Sequence, residues 1–291
     1  MKNNLYPDLE KCSKSFCVPA ENLIKAFEIE KVFHKLILEE QSFDRRQVFY
    51  NDVYNMVLPL FGRNSLNIHL GKNPKDSTVK LFKKELEGKS VLDVGCGDGY
   101  FLASIAKQLK HKELVGIDGS IPPLSKLHKE IQFITSSIIQ FDLGQQFDVI
   151  FSDQVLEHVA PSDLDIHLRS VYRALKKKGV FIVLLPNKLF GPSDITRIID
   201  NSFSGKINSQ GTHLNESTYG ELLPILERNG LNNFKTVLPV PKLKYLMKNF
   251  RMSPTPLVTI EENAFCLDTL HGIKFNRQCI FKLPIILICS K

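Results

Sequence analysis

Three glycines alternate in LDVGCGDGYF, at Gly95, Gly97 and Gly99, directly after a short apolar run at 91–94. A carboxylate, Asp93, stands two positions before the first of them. Glycine weakens any element that must hold itself together, so such a cluster marks a sharp backbone turn or a place where another molecule lies against the main chain. A second carboxylate, Asp118, ends the run LVGID, 25 residues beyond Asp93. Placed there, it can accept hydrogen bonds from both hydroxyls of a ribose. Together these residues describe a nucleoside site. A dinucleotide fingerprint, G-x-G-x-x-G, would need its third glycine where this chain has Tyr100, so the spacing does not fit NAD.

The elements that must position these residues follow from hydrophobic periodicity. Residues 91–94, ELVGID, IQFITSSI, FDVIFS and GVFIVLLP read as five strands, with YFLASIAKQLK a helix between the first two. Near-continuous apolar strands alternating with helices predict a parallel sheet covered on both faces, with ligands at the carboxyl ends of the strands. SDLDIHLRSVYRALKKKG predicts a helix with Ser162 and Asp165 as a capping pair and Gly179 as its stop. STYGELLPILERNG predicts another, with Thr218 and Glu221 in capping-box spacing. In the closing strand CIFKLPIILICS, Pro284 predicts an edge or a bulge. Ahead of the sheet, two amphipathic helices are expected, one with Leu23, Phe27, Phe33 and Ile37 on one face, the other with Phe49, Val53, Met56 and Leu60. The polar stretch 62–76 is the expected connector. It divides a helical extension or lid, residues 1–75, from a main domain, residues 76–291, that carries an insertion at about 242–274.

Over about 88–187, LDVGCGDGYF and FDVIFSDQVLEHV resemble the class I S-adenosylmethionine-dependent methyltransferases. The resemblance implies an α/β fold: a Rossmann-like, seven-stranded, mostly parallel sheet with helices on both faces, here with an N-terminal helical extension. It implies S-adenosylmethionine as cofactor, with Asp93, Gly95, Cys96, Gly97 and Gly99 in the cofactor loop and Asp118 on the ribose. Many relatives carry an Asp after the third strand for the adenine amino group. Here FITSSIIQF offers Ser137, whose hydroxyl accepts less strongly than a carboxylate. Asp153 is expected close to the methionine moiety. Glu157 and His158 follow on the next turn, facing the transfer site, and His213 of SQGTHLNEST is expected on the ligand-facing edge. His158 is the candidate base, since its ordinary pKa lies near neutrality; its alternative role is to orient the loop. Some small-RNA and quinone-pathway O-methyltransferases with a similar segment hold a divalent metal through E-x-x-E-H. Gln154 takes the first of those places and is a poorer ligand for a hard cation, so no metal is expected, with Glu157, His158 and His213 the candidates for one.

The net charge of +7 is local: from Lys235 to Lys291 there are nine Lys or Arg against three acids. A basic end can meet phosphates, an anionic membrane or an acidic substrate. Without an RNP-type aromatic pattern or an Arg-rich tract, nucleic acid is the less favoured partner. KLKYLMKNFRM is basic and amphipathic, with Leu243, Met247 and Phe250 on one side. Its expected role is to cover a core, with peripheral contact to anionic lipid the alternative. Six cysteines without a Cys-x-x-Cys pair argue against a zinc ribbon and for reduced, mostly buried thiols. The charged, Pro-containing start and the lack of any apolar run near roughly 18 residues lead us to expect a cytoplasmic protein with no transmembrane segment. The expected function is O-methylation of a small-molecule or sugar-like acceptor. The alternatives are an RNA methyltransferase, or a cofactor-binding regulatory protein without transfer activity.

Overall fold

The apolar runs become strands in the expected order. The structure is a computed structural model describing residues 5–62, 73–119, 129–240 and 242–291. Three helices open it: α1 (Leu9–Phe16), α2 (Ala20–Glu39) and α3 (Phe43–Val57). Most of the expected connector lies outside the described residues, and α4 (Asp76–Leu81) and α5 (Lys83–Leu86) follow it. Then come β1 (Lys89–Val94), α6 (Tyr100–Gln108), β2 (His111–Asp118), β3 (Gln132–Thr135), β4 (Phe147–Asp153), α7 (Leu164–Ala174) and β5 (Leu175–Leu185). The last third holds α8 (Tyr219–Arg228), β6 (Asn232–Lys235), α9 (Leu243–Leu246), α10 (Thr255–Glu262), α11 (Ala264–Gly272), β7 (Lys274–Phe275), β8 (Gln278–Cys279) and β9 (Ile285–Ser290).

Seven strands pair in the order β3-β2-β1-β4-β5-β9-β6, and β7-β8 form a separate hairpin. The first five are parallel, and β9 enters antiparallel to both β5 and β6. This is the mostly parallel, Rossmann-like sheet expected. Its order reverses between β1 and β4, the switch point at whose carboxyl ends sheets of this kind bind their ligands. Val91, Leu92 and Val94 of β1 and Val149, Ile150 and Phe151 of β4 are buried, which is why these strands read as continuous apolar runs.

Some local expectations are corrected. No Ser162 cap forms on α7; its N-cap residue is Asp163, which makes no capping bond because its carboxylate is bound to Arg46. The helix ends at Ala174, and Gly179 lies inside β5, in the irregular stretch between the pairs that Leu175 and Val180 make with β4. Pro284 precedes β9, an inner strand, so it marks neither an edge nor a bulge there; its carbonyl accepts the Tyr219 hydroxyl at 2.9 Å. Met56 faces solvent, although Val53 on the same helix is buried. The Thr218–Glu221 capping box forms as expected. All six cysteines are free, and four of them are buried. Among the described residues no helix is long and apolar enough to cross a membrane.

A buried ion pair clamps the N-terminal helices to the sheet domain. From α3, Arg46 Nε reaches both Asp163 oxygens at 3.1 and 2.9 Å, and Nη2 reaches Oδ1 at 2.5 Å. The Tyr50 hydroxyl donates to the same carboxylate at 3.1 Å and accepts from the Ala160 N–H at 2.8 Å. Arg46 and Asp163 are both buried, so removing either partner would strand a charge away from water.

Candidate active site

At the end of β1 the chain turns sharply: the Gly95 and Cys96 N–H groups both donate to the Ile117 carbonyl of β2, at 2.8 and 3.1 Å. Gly95 has φ +73°, and a Cβ there would lie 2.5 Å from Val155 Cγ2, so only glycine fits. Gly97 has φ +50°, and a Cβ on it would meet nothing within 4 Å among the described residues. The backbone at Gly97 is therefore an open cradle. Gly99 caps α6, and the Asp118 carboxylate accepts from the Gly97 N–H at 2.9 Å, tying the end of β2 to the loop. The Cys96 side chain is buried, leaving this residue only its backbone to offer a ligand.

Asp93 is buried in β1, and burial, then the charge of Asp153, holds its carboxyl well above the usual range. Asp153 ends β4 and pairs with Lys75 Nζ at 2.7 Å. Sequence reasoning missed Lys75, which stood in a connector without periodicity. The structure fixes it through Asn73, which accepts from the Lys75 N–H and donates to the Tyr100 carbonyl, both at 2.8 Å. Ser137, just beyond β3, already donates to Gln47 Oε1 at 3.1 Å and accepts from the Ile139 N–H at 3.2 Å.

Across the crevice, the turn Leu156–His158 and the loop before α8 meet. The Glu157 carbonyl accepts from the Leu214 and Asn215 N–H groups at 2.7 and 3.0 Å, which sets His213 beside it. His158 and His213 touch edge to face, with ring centroids 4.7 Å apart. His158 Nδ1 lies 3.1 Å from the Thr212 carbonyl. A carbonyl can only accept, so Nδ1 carries the proton and Nε2 the lone pair. Burial, then the neighbouring His213, lowers the His158 pKa to about 3. Burial also lowers that of His213, but the Glu216 bond at 2.6 Å and the Glu157 charge outweigh it and raise the value to about 9. Glu157 is fully buried, neither carboxylate oxygen has a hydrogen-bond partner among the described residues, and burial raises its pKa to about 7. One ligating atom from each of Glu157, His158 and His213 lies within 4.8 Å of the others.

The first helices complete this side. Glu30 of α2 is buried and accepts from the Thr212 N–H at 2.9 Å. Burial and the charge of Asp194 raise its pKa to about 8. His34 Nδ1 lies 2.7 Å from the Gly211 carbonyl, and the Tyr54 ring centroid is 6.2 Å from that of His158. Glu30, Phe33, Tyr50, Tyr54, His158 and Leu214 line a crevice of about 10 Å³, room for about one water. Nothing in the sequence flags Glu30, because an acid beside Lys31 in an amphipathic helix reads as solvent-facing.

The sheet order, the glycine loop and the acid ending β2 define a class I S-adenosylmethionine-dependent methyltransferase. A family described as a methyltransferase domain matches residues 66–236, more than half of the chain, and the chain belongs to it. Similar curated proteins include the carboxy-S-adenosyl-L-methionine synthase of Nautilia profundicola, 24% identical over 162 residues that cover 53% of this chain and 65% of that one. A ubiquinone biosynthesis O-methyltransferase of Chelativorans sp. is 27% identical over 179 residues, 58% of this chain and 64% of that protein. The chain thus spans somewhat less than two thirds of the length of these relatives. The crystal structure of the [4+2]-cyclase SpnF shares the fold, with a TM-score of 0.50 and 17% identity over 83% of this chain and 94% of that one. Family membership makes S-adenosylmethionine the cofactor, and the open backbone at Gly97 beside the Asp118 carboxylate leaves room and a hydrogen-bond acceptor for a ligand at the end of β1 and β2.

Proposed function

We propose that the chain transfers a methyl group from S-adenosylmethionine to a hydroxyl of a small-molecule acceptor, with His158 as the base. The observation that carries this reading is the Thr212 carbonyl on His158 Nδ1, which leaves Nε2 as the proton acceptor. When bound, S-adenosylmethionine supplies a methyl carbon on a sulfonium, a leaving group that needs no activation. Gly95, Gly97, Gly99 and Asp118 would hold it, with Asp93 and Asp153 toward the methionine end. His158 Nε2 would take the proton of the acceptor hydroxyl as its oxygen is methylated. A low pKa does not forbid this, because an oxygen gaining a third bond is far more acidic than an imidazolium. The α2 and α3 helices exclude water from that side, and Glu30 steadies Thr212, which orients His158.

The test incubates the purified chain with S-adenosylmethionine and panels of hydroxylated metabolites, amines and RNA, following formation of the demethylated product. Transfer to hydroxyl compounds that His158→Ala removes, with affinity for the demethylated product kept, supports the reading. Transfer to RNA or to amines alone sinks it.

A second reading is favoured by two further observations. Both Nδ1 atoms are engaged by oxygens, as outer contacts do for metal-ligating histidines, and the buried Glu157 carboxylate has no partner among the described residues. Glu157, His158 Nε2 and His213 Nε2 would then hold a divalent cation, which supplies polarisation of the acceptor hydroxyl. Calorimetric titration of chelator-treated protein with Mn²⁺ and Zn²⁺ separates the two. Saturable binding lost in Glu157→Gln supports the cation, and absence of binding leaves the base alone.

A further inference from the structure

The segment KLKYLMKNFRM was expected to cover a core, and the structure places it otherwise. Its helical part, α9, is a single turn with no buried residue. Leu246 is 81% exposed, and Leu243, Tyr245, Met247 and Phe250 are exposed around it. An apolar cluster of this kind on a soluble surface marks a contact with something else.

The segment's base is fixed. Arg251 makes a two-pronged bond to Glu85 of α5, Nε to Oε1 at 2.9 Å and Nη2 to Oε2 at 2.7 Å, and Nη2 also donates to the Leu81 carbonyl at 3.0 Å. Both side chains of that pair are nearly buried. Thr236 and Met252 exchange backbone hydrogen bonds at 2.8 and 3.0 Å. Held from below, α9 packs on α4 and points its leucines outward.

Charge decides the partner. Lys242 and Lys248 are exposed on the segment itself, and Lys80 and Lys84 are exposed on the α4–α5 stretch beneath it. The acids of that stretch are engaged: Asp76 by Ser104 and Gln108, Glu85 by Arg251, and Glu87 by Lys83. Exposed leucines and a phenylalanine among lysines with no acidic partner among the described residues suit an anionic bilayer, with apolar groups at the acyl boundary and ammonium groups at the headgroups. The face also adjoins the site. Directly before α4 stands Lys75, bonded to Asp153 at the end of β4, and Lys244 and Tyr245 both feel the Asp153 charge.

We propose that Leu243, Leu246, Met247 and Phe250, with the lysines around them, seat the protein on an anionic lipid surface, so that its acceptor is a hydroxylated amphiphile resident in that membrane. The surface stands on its own geometry; the nature of the acceptor rests on the transfer reading above.

The experiment is co-sedimentation of the full chain with vesicles of phosphatidylcholine alone or mixed with phosphatidylglycerol. Expected is partition onto the mixed vesicles only, weakened at about 0.5 M salt. It should fall about tenfold or more in the double variant Leu246→Glu, Phe250→Glu, with melting temperature and affinity for the demethylated cofactor unchanged. A second double variant, Phe265→Glu with Phe275→Glu, alters exposed aromatics outside the segment and is expected to keep binding. Failure to bind mixed vesicles, or equal binding by the first double variant, overturns the proposal. So does self-association through these residues, seen by sedimentation velocity in a chain that ignores lipid. Vesicle binding is read without any methyl acceptor, so its failure and that of the transfer reading are distinguishable.

Discussion

The two sides of the crevice are built by different means. On the cofactor side, main chain does most of the work: glycines at Gly95 and Gly97 with left-handed backbone, and one carboxylate, Asp118, bonded back to the loop. On the side where we propose that the acceptor binds, side chains converge from α2, from the turn after β4 and from the loop before α8. A ligand of constant shape can be met by a fixed backbone path, which leaves a local trace in glycine spacing. An acceptor that differs between relatives must be met by side chains, and those are brought together only by tertiary packing. The two sides should therefore fail separately.

The largest effect is expected at the clamp. Arg46→Met would strand the Asp163 carboxylate and lower stability by about 3–5 kcal/mol, read as an earlier thermal or urea transition. Adding Asp163→Leu should recover most of the loss, since the penalty lies in the unpaired charge. Below its transition the single variant should still bind the demethylated cofactor but transfer poorly. If cofactor affinity falls in step with activity, the two sides are one unit. Next comes His158→Ala, which should lower kcat about 10²–10³-fold and leave cofactor affinity nearly unchanged. Full activity would return this residue to a structural role.

Asp118→Ala tests the other side. Losing an acceptor for two ribose hydroxyls should weaken binding of S-adenosylmethionine and its product about 10²-fold by calorimetry, with a normal melt. Unchanged affinity would remove Asp118 from the ribose site. An affinity loss matched by a loss of fold would show that its bond to Gly97 is structural first.

How far each side was legible follows from the same contrast. Asp93, the alternating glycines and Asp118 sit on consecutive elements of one sheet, so spacing along the chain reports spacing in the crevice. Glu157 and His158 were legible for the same reason, being one turn past β4. The bond from Glu30 to Thr212 joins residues far apart in the chain, and Lys75 reaches Asp153 from a stretch without periodicity, so neither left a local mark. The α7 start was misread because Ser162 and Asp165 have capping-pair spacing, whereas the helix begins one residue later, after Asp163, whose carboxylate is claimed by Arg46 from another helix. KLKYLMKNFRM was misread because its amphipathic spacing states only that an apolar side exists, not that this chain covers it.

The smallest effect sharpens what burial alone does to a histidine. His167 of α7 is fully buried, its Nδ1 lies 2.7 Å from the Ile138 carbonyl, and its Nε2 has no partner among the described residues. Burial lowers its pKa from 6.5 to about 4. It thus repeats the carbonyl contact and burial of His158 away from any carboxylate-histidine cluster. Because the folded value lies below the unfolded one, the unfolded chain takes up the proton first as pH falls. The stabilisation is complete above pH 6.5 and is lost progressively as pH falls through 6.5 toward 4, with a slope of at most one proton. Urea unfolding of the parent and of His167→Leu between pH 7 and 4.5 should differ by that slope. Parallel curves would mean that His167 does not stay neutral in the fold, and the low pKa of its counterpart His158 would then need a cause other than burial.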